Sequence, residues 1–149
     1  MIYSDSREKK NEHVLKYLDQ EGVPYEVRKL SVGDYMDSER PGLSIDRKRN
    51  LEELSGNVCT SDGRFWREVR RSHEEGTKLI VLVEHGGKIK SLKDVPLWRS
   101  KYSRVTGEQL VRELYRIHIA YGVEFLFCDK RSTGRKILEL LRSSDERLD

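Results

Sequence analysis

Residues 79–84 read LIVLVE, and residues 123–128 read VEFLFC. Near-continuous apolar runs of this length are typical of strands that are buried on both faces of a sheet. Between them, the sequence TGEQ at 106–109 has the pattern of a capping box and predicts the start of a helix. Apolar residues at helical spacing give that helix an inner face: Leu110, Leu114, Ile117 and Tyr121. A buried strand, a helix and a second buried strand predict an α/β layered domain.

The chain on either side of this unit predicts further strands and helices. Before it we expect strands at 1–4, 23–30, 32–36 and 43–48 and helices at 6–20, 50–54 and 63–75. After it, a last helix begins at Ser132 and turns Ile137, Leu138 and Leu141 inward. The sum predicts one domain over residues 1–149, with a central mixed sheet flanked by helices.

Composition excludes several classes of protein. Lys and Arg number 29 and Asp and Glu 26, so the net charge of +3 does not by itself indicate a nucleic-acid partner. Cys59 and Cys128 lack the spacing of a zinc site or a disulfide framework, and we expect reduced thiols. No apolar run approaches a membrane span or a signal peptide, so we expect a soluble, intracellular protein without membrane contact.

Acidic and basic residues concentrate in residues 33–35 (GDY) and 45–48 (IDRK). Since residues two apart on a strand face the same side, Asp46 and Lys48 point together. A hairpin between the two segments would bring Asp34 next to Asp46. Two carboxylates and an ammonium group would then converge at one edge of the sheet.

Phosphodiester cleavage uses such a set. Mg²⁺ and Mn²⁺ prefer carboxylate oxygens, and a bound ion polarises a phosphate and lowers the pKa of its water. A lysine beside the ion orients that water or stabilises the developing charge. The alternative is a solvated strand end for 46–48 and a plain turn residue at Asp34, which charged chains often show.

The order of these segments resembles the GD…ERKxxxD signature of the XPF-type structure-specific endonucleases. That family belongs to the restriction-endonuclease-like group, whose signature is PD…(D/E)xK. Residues 5–8 (DSRE) are similar to the family's opening DxRE, and 64–71 (RFWREVRR) to its RF..E..R helix. The strand at 82–84 (LVE) ends in an acid, as in the family. The resemblance covers roughly residues 1 to 130 and implies a restriction-endonuclease-like core.

Position by position, the resemblance implies a catalytic site of Lys48, Asp34 and Asp46. It makes Asp34 and Asp46 ligands of Mg²⁺ or Mn²⁺, with Asp5 beside the metal site. Further residues take supporting roles: Arg47, Glu52, Arg7 and Glu8. Arg47 lies on the opposite face of its strand, in an ion-pair or phosphate-binding role.

The chain departs from the family pattern at two acids. Asp46 stands where the family usually has Glu, and Glu52 where it has Asp. Because the wider group uses either acid at the first position and the lysine is present, we expect an active enzyme. The chain ends at Asp149 without a helix-hairpin-helix module, so we expect a stand-alone nuclease domain, as in small bacterial or phage proteins.

Basic residues supply candidate DNA contacts. Arg64 and Arg71 share a helix face with Glu68, which indicates either a phosphate-binding ridge or an internal salt-bridge lattice. Lys101 and Arg104 lie in the aromatic and basic stretch 98–104 (WRSKYSR), a candidate DNA-contacting loop. Trp98 and Trp66 either stack on bases or pack in the core.

The sequence therefore predicts a Mg²⁺- or Mn²⁺-dependent DNA endonuclease acting at flaps, forks or branches in DNA repair or recombination. The family resemblance implies a homodimer or a dimer with a related subunit, with the inner surface of the last two helices as the shared face. Two alternatives remain open: a Holliday-junction resolvase-like nuclease on the same fold, and an inactive DNA-binding or scaffold protein.

Overall fold

The computed structural model describes residues 1–59 and 63–143 and is centred on a six-stranded sheet. Its strands are β1 (Ile2–Asp5), β2 (Tyr25–Arg28), β3 (Tyr35–Asp37), β4 (Leu43–Lys48), β5 (Lys78–Glu84) and β6 (Glu124–Cys128). The spatial order is β2-β1-β3-β4-β5-β6. Strands β4, β5 and β6 run parallel, β2 runs parallel to β1, and β3 is antiparallel to both β1 and β4. The predicted mixed sheet is confirmed.

Helices cover both faces of this sheet. They are α1 (Glu12–Gln20), α2 (Leu51–Val58), α3 (Arg64–Glu75), α4 (Gly107–Tyr121) and α5 (Thr133–Arg142), with short 3₁₀ turns at Leu92–Leu97 and Lys130–Ser132. One core cluster unites α2, α3 and α4 with the sheet, and a second unites α1 and α5 with its other face. The predicted capping box is present, with Thr106 and Gln109 each accepting the other's backbone N–H.

The alternation along β5 explains its unbroken apolar sequence. Leu79, Val81 and Val83 enter the core under α2, α3 and α4, whereas Ile80 and Leu82 enter the core under α1 and α5. Both faces of the strand are buried from Leu79 to Val83, which explains why this run is apolar throughout.

The same alternation positions the polar residues of β4. Asp46 is registered beside Val81 and Lys48 beside Val83, so both face α2 and α3. Arg47 is registered beside Leu82 and faces the opposite side. The prediction that Asp46 and Lys48 point together, away from Arg47, is confirmed.

Three predicted elements are shorter than expected. The strand predicted at 23–30 covers only Tyr25–Arg28. The helix predicted at 6–20 begins only at Glu12, because Lys10 has a φ of 54° and the carbonyls of Lys9 and Lys10 accept hydrogen bonds from Arg47. The strand predicted at 32–36 begins only at Tyr35, because Gly33 has a φ of 74°. At Lys10 and at Gly33, a backbone with positive φ interrupts the regular pattern.

Two further features concern the cysteines and the length of the helices. Cys59 and Cys128 are both free. Within 1–59 and 63–143, no helix is both long enough and apolar enough to cross a bilayer.

Candidate active site

Gly33 lies in close contact with β4, and this contact positions the neighbouring Asp34. A side chain at this position would place its Cβ 2.1 Å from Ser44 Oγ and 3.0 Å from the carbonyl oxygen of Ile45. The φ of 74° adds backbone strain for any L-residue. Only glycine lets the chain lie this close to β4. The close approach therefore explains why a glycine precedes Asp34.

Asp34 is held by its neighbours on both sides. Its backbone N–H donates to the carbonyl of Ile45 at 2.7 Å, and its own carbonyl accepts the N–H of Asp5 at 2.7 Å. Its Oδ2 accepts the backbone N–H of Arg47 at 2.8 Å. The predicted hairpin is present as the antiparallel pair β3–β4, and the prediction that it brings Asp34 next to Asp46 is confirmed.

The carboxylates of Asp34 and Asp46 lie close enough to interact strongly. Burial raises the pKa of Asp34 well above its usual range, and the neighbouring Asp46 raises it further. Asp46 is also buried, at 5% exposure, and no well-directed hydrogen bond among the described residues reaches its Oδ2. That oxygen lies 3.1 Å from Lys48 Nζ, an ion-pair contact without good hydrogen-bond angles.

Lys48 is the cation of this group. Burial is the largest influence on the pKa of its ammonium group and lowers it, but the surrounding carboxylates, Asp46 first among them, together make the net shift upward. Its Nζ also lies 5.0 Å from the centre of the Phe65 ring, a cation–π contact. Lys48 is therefore held in place and stays protonated at neutral pH.

Glu68 of α3 is a third carboxylate at the site, and sequence reasoning gave it no chemical role. Its Oε2 accepts the backbone N–H of Gly33 at 3.3 Å. Burial, followed by the charge of Asp46, raises its pKa to about 7. The available signal was its position three residues after Phe65 in the RF..E..R pattern, which places both on one face of α3.

The donor set suits a hard divalent ion with few protein ligands. Within the described residues, no three His, Cys, Asp or Glu side chains converge to hold an ion. Asp34 and Asp46 could each offer a carboxylate oxygen to an ion, and Asp46 Oδ2 has an ion-pair contact with Lys48 but no well-directed hydrogen bond among the described residues. Mg²⁺ is typically held in this way, by one or two carboxylates together with water and substrate phosphate.

Asp5 ends β1 directly beside Asp34, to whose carbonyl its backbone N–H donates, and its place beside a metal stays a prediction. Its carboxylate accepts hydrogen bonds from the backbone and guanidinium N–H groups of Arg7 and from the backbone N–H of Leu30 at 2.8 Å. Those bonds use both of its oxygens. The structure thus gives Asp5 the role of holding Arg7, whose charge also acts on Asp34 and Glu68.

The opposite face of β4 carries a buried ion-pair network. The guanidinium of Arg47 is 2% exposed and donates to the carboxylates of Glu8 and Glu84. Glu8 also accepts from the Tyr35 hydroxyl at 2.7 Å, and Glu84 from the Thr133 hydroxyl at 2.5 Å. Of the two roles considered for Arg47, this burial favours the ion pair, because phosphate cannot reach a side chain so enclosed.

Glu52 lies on α2 but turns to the loop at 99–105. Its carboxylate accepts from the Ser100 hydroxyl at 2.8 Å and from the Lys101 backbone N–H at 2.6 Å. Its supporting role is therefore to anchor this loop against α2.

The candidate DNA-contacting residues are all exposed, but they occupy two places. Arg64 and Arg71 lie on α3, where an Arg71 N–H donates to the Ser31 carbonyl at 2.6 Å. Lys101 and Arg104 lie on the loop at 99–105. The two tryptophans pack against the core, and the Trp66 indole donates to the Val58 carbonyl at 2.9 Å.

Comparison with known proteins gives concordant results. The sequence matches the family model described as "ERCC4 domain" over residues 4–141. The fold is similar to that of XPF from Aeropyrum pernix, with a TM-score of 0.73, 24% identity and coverage of 99% of this chain and 66% of that one. It is also similar to XPF from Aeropyrum pernix in complex with DNA, with a TM-score of 0.73, 22% identity and coverage of 98% and 65%. The chain thus spans about two thirds of the length of these structures. A search of curated proteins found no significant match.

Proposed function

The chain belongs to the ERCC4 domain family, and we propose that it is a Mg²⁺- or Mn²⁺-dependent endonuclease that hydrolyses phosphodiester bonds in structured DNA. The observation that carries this proposal is the pair of buried, interacting carboxylates of Asp34 and Asp46, in which Asp46 Oδ2 is ion-paired with Lys48 but has no well-directed hydrogen bond among the described residues. A divalent cation relieves the repulsion between these carboxylates and completes the bonding of that oxygen. The fold shared with an XPF that was solved with DNA supports DNA as the substrate.

Each side chain of the site has a separate task in this proposal. Asp34 and Asp46 would hold the ion, which when bound polarises the scissile phosphate and makes its water a better nucleophile. Lys48 keeps its proton, because Asp46 raises its pKa, and so acts as a fixed positive charge beside the phosphate rather than as a base. Glu68, with its pKa of about 7, limits the negative charge of the metal-free site by retaining a proton near neutrality.

The chain has Asp46 where the family usually has Glu, and this difference is compatible with the proposed arrangement. The shorter side chain still lies 3.1 Å from Lys48 Nζ. Glu68 adds a carboxylate from α3 that acts on Asp46. We propose that this third acid compensates for the missing methylene by adding negative charge beside Asp46, where the ion would be held.

We also propose a dimer, through a surface that differs from the expected one. The inner faces of α4 and α5 are used inside the monomer on opposite sides of the sheet, so they form no shared surface. The outer face of α4 instead exposes Ile119, at 81%, and Tyr115, at 43%, one turn apart. Sedimentation of wild type against Ile119→Asp tests this surface, and loss of the dimer in the variant is expected.

A cleavage panel tests the catalytic proposal. Single-stranded, duplex, flap, fork and four-way-junction DNA of one sequence are incubated with Mg²⁺ or Mn²⁺ and either wild type or Asp46→Asn. We expect cutting of a flap or fork by wild type only. Preferential cutting of the four-way junction would instead assign a resolvase-like activity, and binding without any cutting would assign a scaffold.

A further inference from the structure

The ammonium group of Lys48 lies between two neighbours from different elements. On its own strand, Asp46 Oδ2 is 3.1 Å from Nζ, and on α3 the centre of the Phe65 ring is 5.0 Å from it. The Lys48 side chain is only 12% exposed. Burying an ammonium group costs free energy unless nearby groups compensate for the lost water. The carboxylate and the negative face of the ring supply that compensation.

Hydrogen bonds do not fix this ammonium group. The contact with Asp46 lacks good hydrogen-bond angles, and Nζ makes no hydrogen bond to any residue among 1–59 and 63–143. A lysine carries three N–H donors at the end of a flexible four-carbon chain. These donors are available to an oxygen from outside the protein, such as that of a phosphate, provided that another contact keeps the chain in one conformation.

The packing of Phe65 fixes the position of its ring. The ring is 4% exposed and belongs to the core cluster that joins α2, α3 and α4 to the sheet. Phe65 lies in the first turn of α3, and Glu68, three residues later on the same face, accepts the backbone N–H of Gly33. The helix therefore contacts the candidate site at two points. A ring that is fixed by its own packing can restrict the position of a flexible neighbour.

The two neighbours of Lys48 should respond differently to a bound cation. Once Asp46 ligates a divalent ion, its negative charge is shared, and the ion and the ammonium group repel each other. Asp46 alone would then hold the lysine poorly. The ring is uncharged and lies on a different element, so its attraction for the ammonium group persists when the ion binds.

We propose that Phe65 is a positioning residue for Lys48, and that its ring keeps the ammonium group directed at the scissile phosphate when a metal ion is held by Asp34 and Asp46. The inference rests on the proposed function, because it gives this contact a purpose in phosphodiester cleavage. A role in core packing alone would require only an apolar side chain of this size. The positioning role requires, in addition, the negative charge density on the face of the ring.

Stepwise fluorination of the ring separates these two roles. Mono-, di- and trifluorophenylalanine at position 65 withdraw electron density from the ring face with little change in size. At saturating Mg²⁺, the single-turnover rate of fork cleavage should fall stepwise, by about three- to tenfold for the trifluoro form, while the affinity for the fork is unchanged. The matched control is the same series at Phe125, which is also 4% exposed in the same core cluster and should keep the wild-type rate.

A double-mutant cycle in urea tests the contact without cleavage. In EDTA, trifluorophenylalanine at position 65 should lower the urea midpoint more in the wild-type background than in Lys48→Met, which has no ammonium group. Equal midpoint shifts in the two backgrounds, a constant rate along the fluorine series, or equal rate losses at positions 65 and 125 would overturn the proposal. Failure of the proposed function would appear separately, as a wild type that shows the coupling in urea but cuts no DNA.

Discussion

The backbone N–H of Arg47 donates to the Asp34 carboxylate, while the Arg47 side chain crosses to the opposite face of the sheet and pairs with Glu8 and Glu84. One residue therefore joins the candidate active site to a buried ion-pair network. The position of Asp34 beside Asp46 depends on how firmly this strand is held. The stability of the sheet and the geometry of the candidate active site are thus coupled at Arg47.

Removal of the Arg47 side chain should be costly. Arg47→Ala leaves the carboxylates of Glu8 and Glu84 without their main cation, and breaking a buried pair in this way costs about 3–5 kcal/mol. Urea denaturation measures the free energy of unfolding. Arg116→Ala is the control, because its exposed pair with Glu113 should contribute at most about 1 kcal/mol. Equal losses in the two variants would contradict a structural role for Arg47.

Asp34→Asn separates charge from hydrogen bonding. The amide oxygen can still accept the Arg47 N–H, so the fold should be retained. Loss of one carboxylate should weaken Mn²⁺ binding at least about tenfold in calorimetric titration. The exposed Asp19→Asn on α1 is the charge-matched control and should bind Mn²⁺ as wild type does. Unchanged Mn²⁺ affinity in Asp34→Asn would remove Asp34 from the ligand set.

Glu68 should make the metal-free protein less stable as pH rises. Its pKa is about 7 in the folded protein, raised from 4.5 by burial and by Asp46. The folded state therefore keeps a proton at pH values where the unfolded chain has already released it. The resulting stabilisation is complete below about pH 4.5 and is lost as pH rises through about 7. Across this pH range, Glu68→Gln should reduce the change in the free energy of unfolding by about 1–3 kcal/mol.

Urea denaturation in EDTA between pH 4.5 and 8 measures that slope. The exposed Glu74→Gln, also on α3, is the control and should retain the wild-type slope. A Glu68→Gln slope as steep as that of wild type would show that Glu68 titrates normally.

Much of the sheet could be predicted from sequence, because its patterns have local causes. The run at 79–84 alternates between two cores, and this can be read from its unbroken apolar character. Asp46 and Lys48 share a face through strand periodicity alone. Asp34 could be placed beside them because Gly33 indicates a close approach.

The remaining contacts are long-range and could not be read from local patterns. Asp5 is bound by Arg7 and Leu30, a residue 25 positions away, and no spacing rule indicates this partner. Glu68 reaches the site only because α3 packs across β4 and β5. The start of α1 at Glu12 rather than Ser6 follows from Arg47, which binds the carbonyls of residues 9 and 10.

Glu52 should control the order of the loop at 99–105. Glu52→Ala leaves the Lys101 N–H and the Ser100 hydroxyl without their acceptor, so amides of this loop should exchange faster with deuterium. DNA binding should weaken in parallel, because the loop carries the candidate DNA contacts Lys101 and Arg104. Glu108→Ala at the exposed start of α4 is the control. Unchanged exchange in Glu52→Ala would contradict the anchoring role.

The most direct test of the catalytic site is the single-turnover cleavage rate of a fork by wild type and by Lys48→Ala, at saturating Mg²⁺. Both carboxylates remain in this variant, so Mn²⁺ binding should persist while the rate falls by about 10²–10³, the typical loss of one charge-stabilising group. Cleavage by wild type should also stop in EDTA. Cutting by Lys48→Ala at the wild-type rate, or cutting by wild type in EDTA, would contradict a metal-dependent site built on Asp34, Asp46 and Lys48.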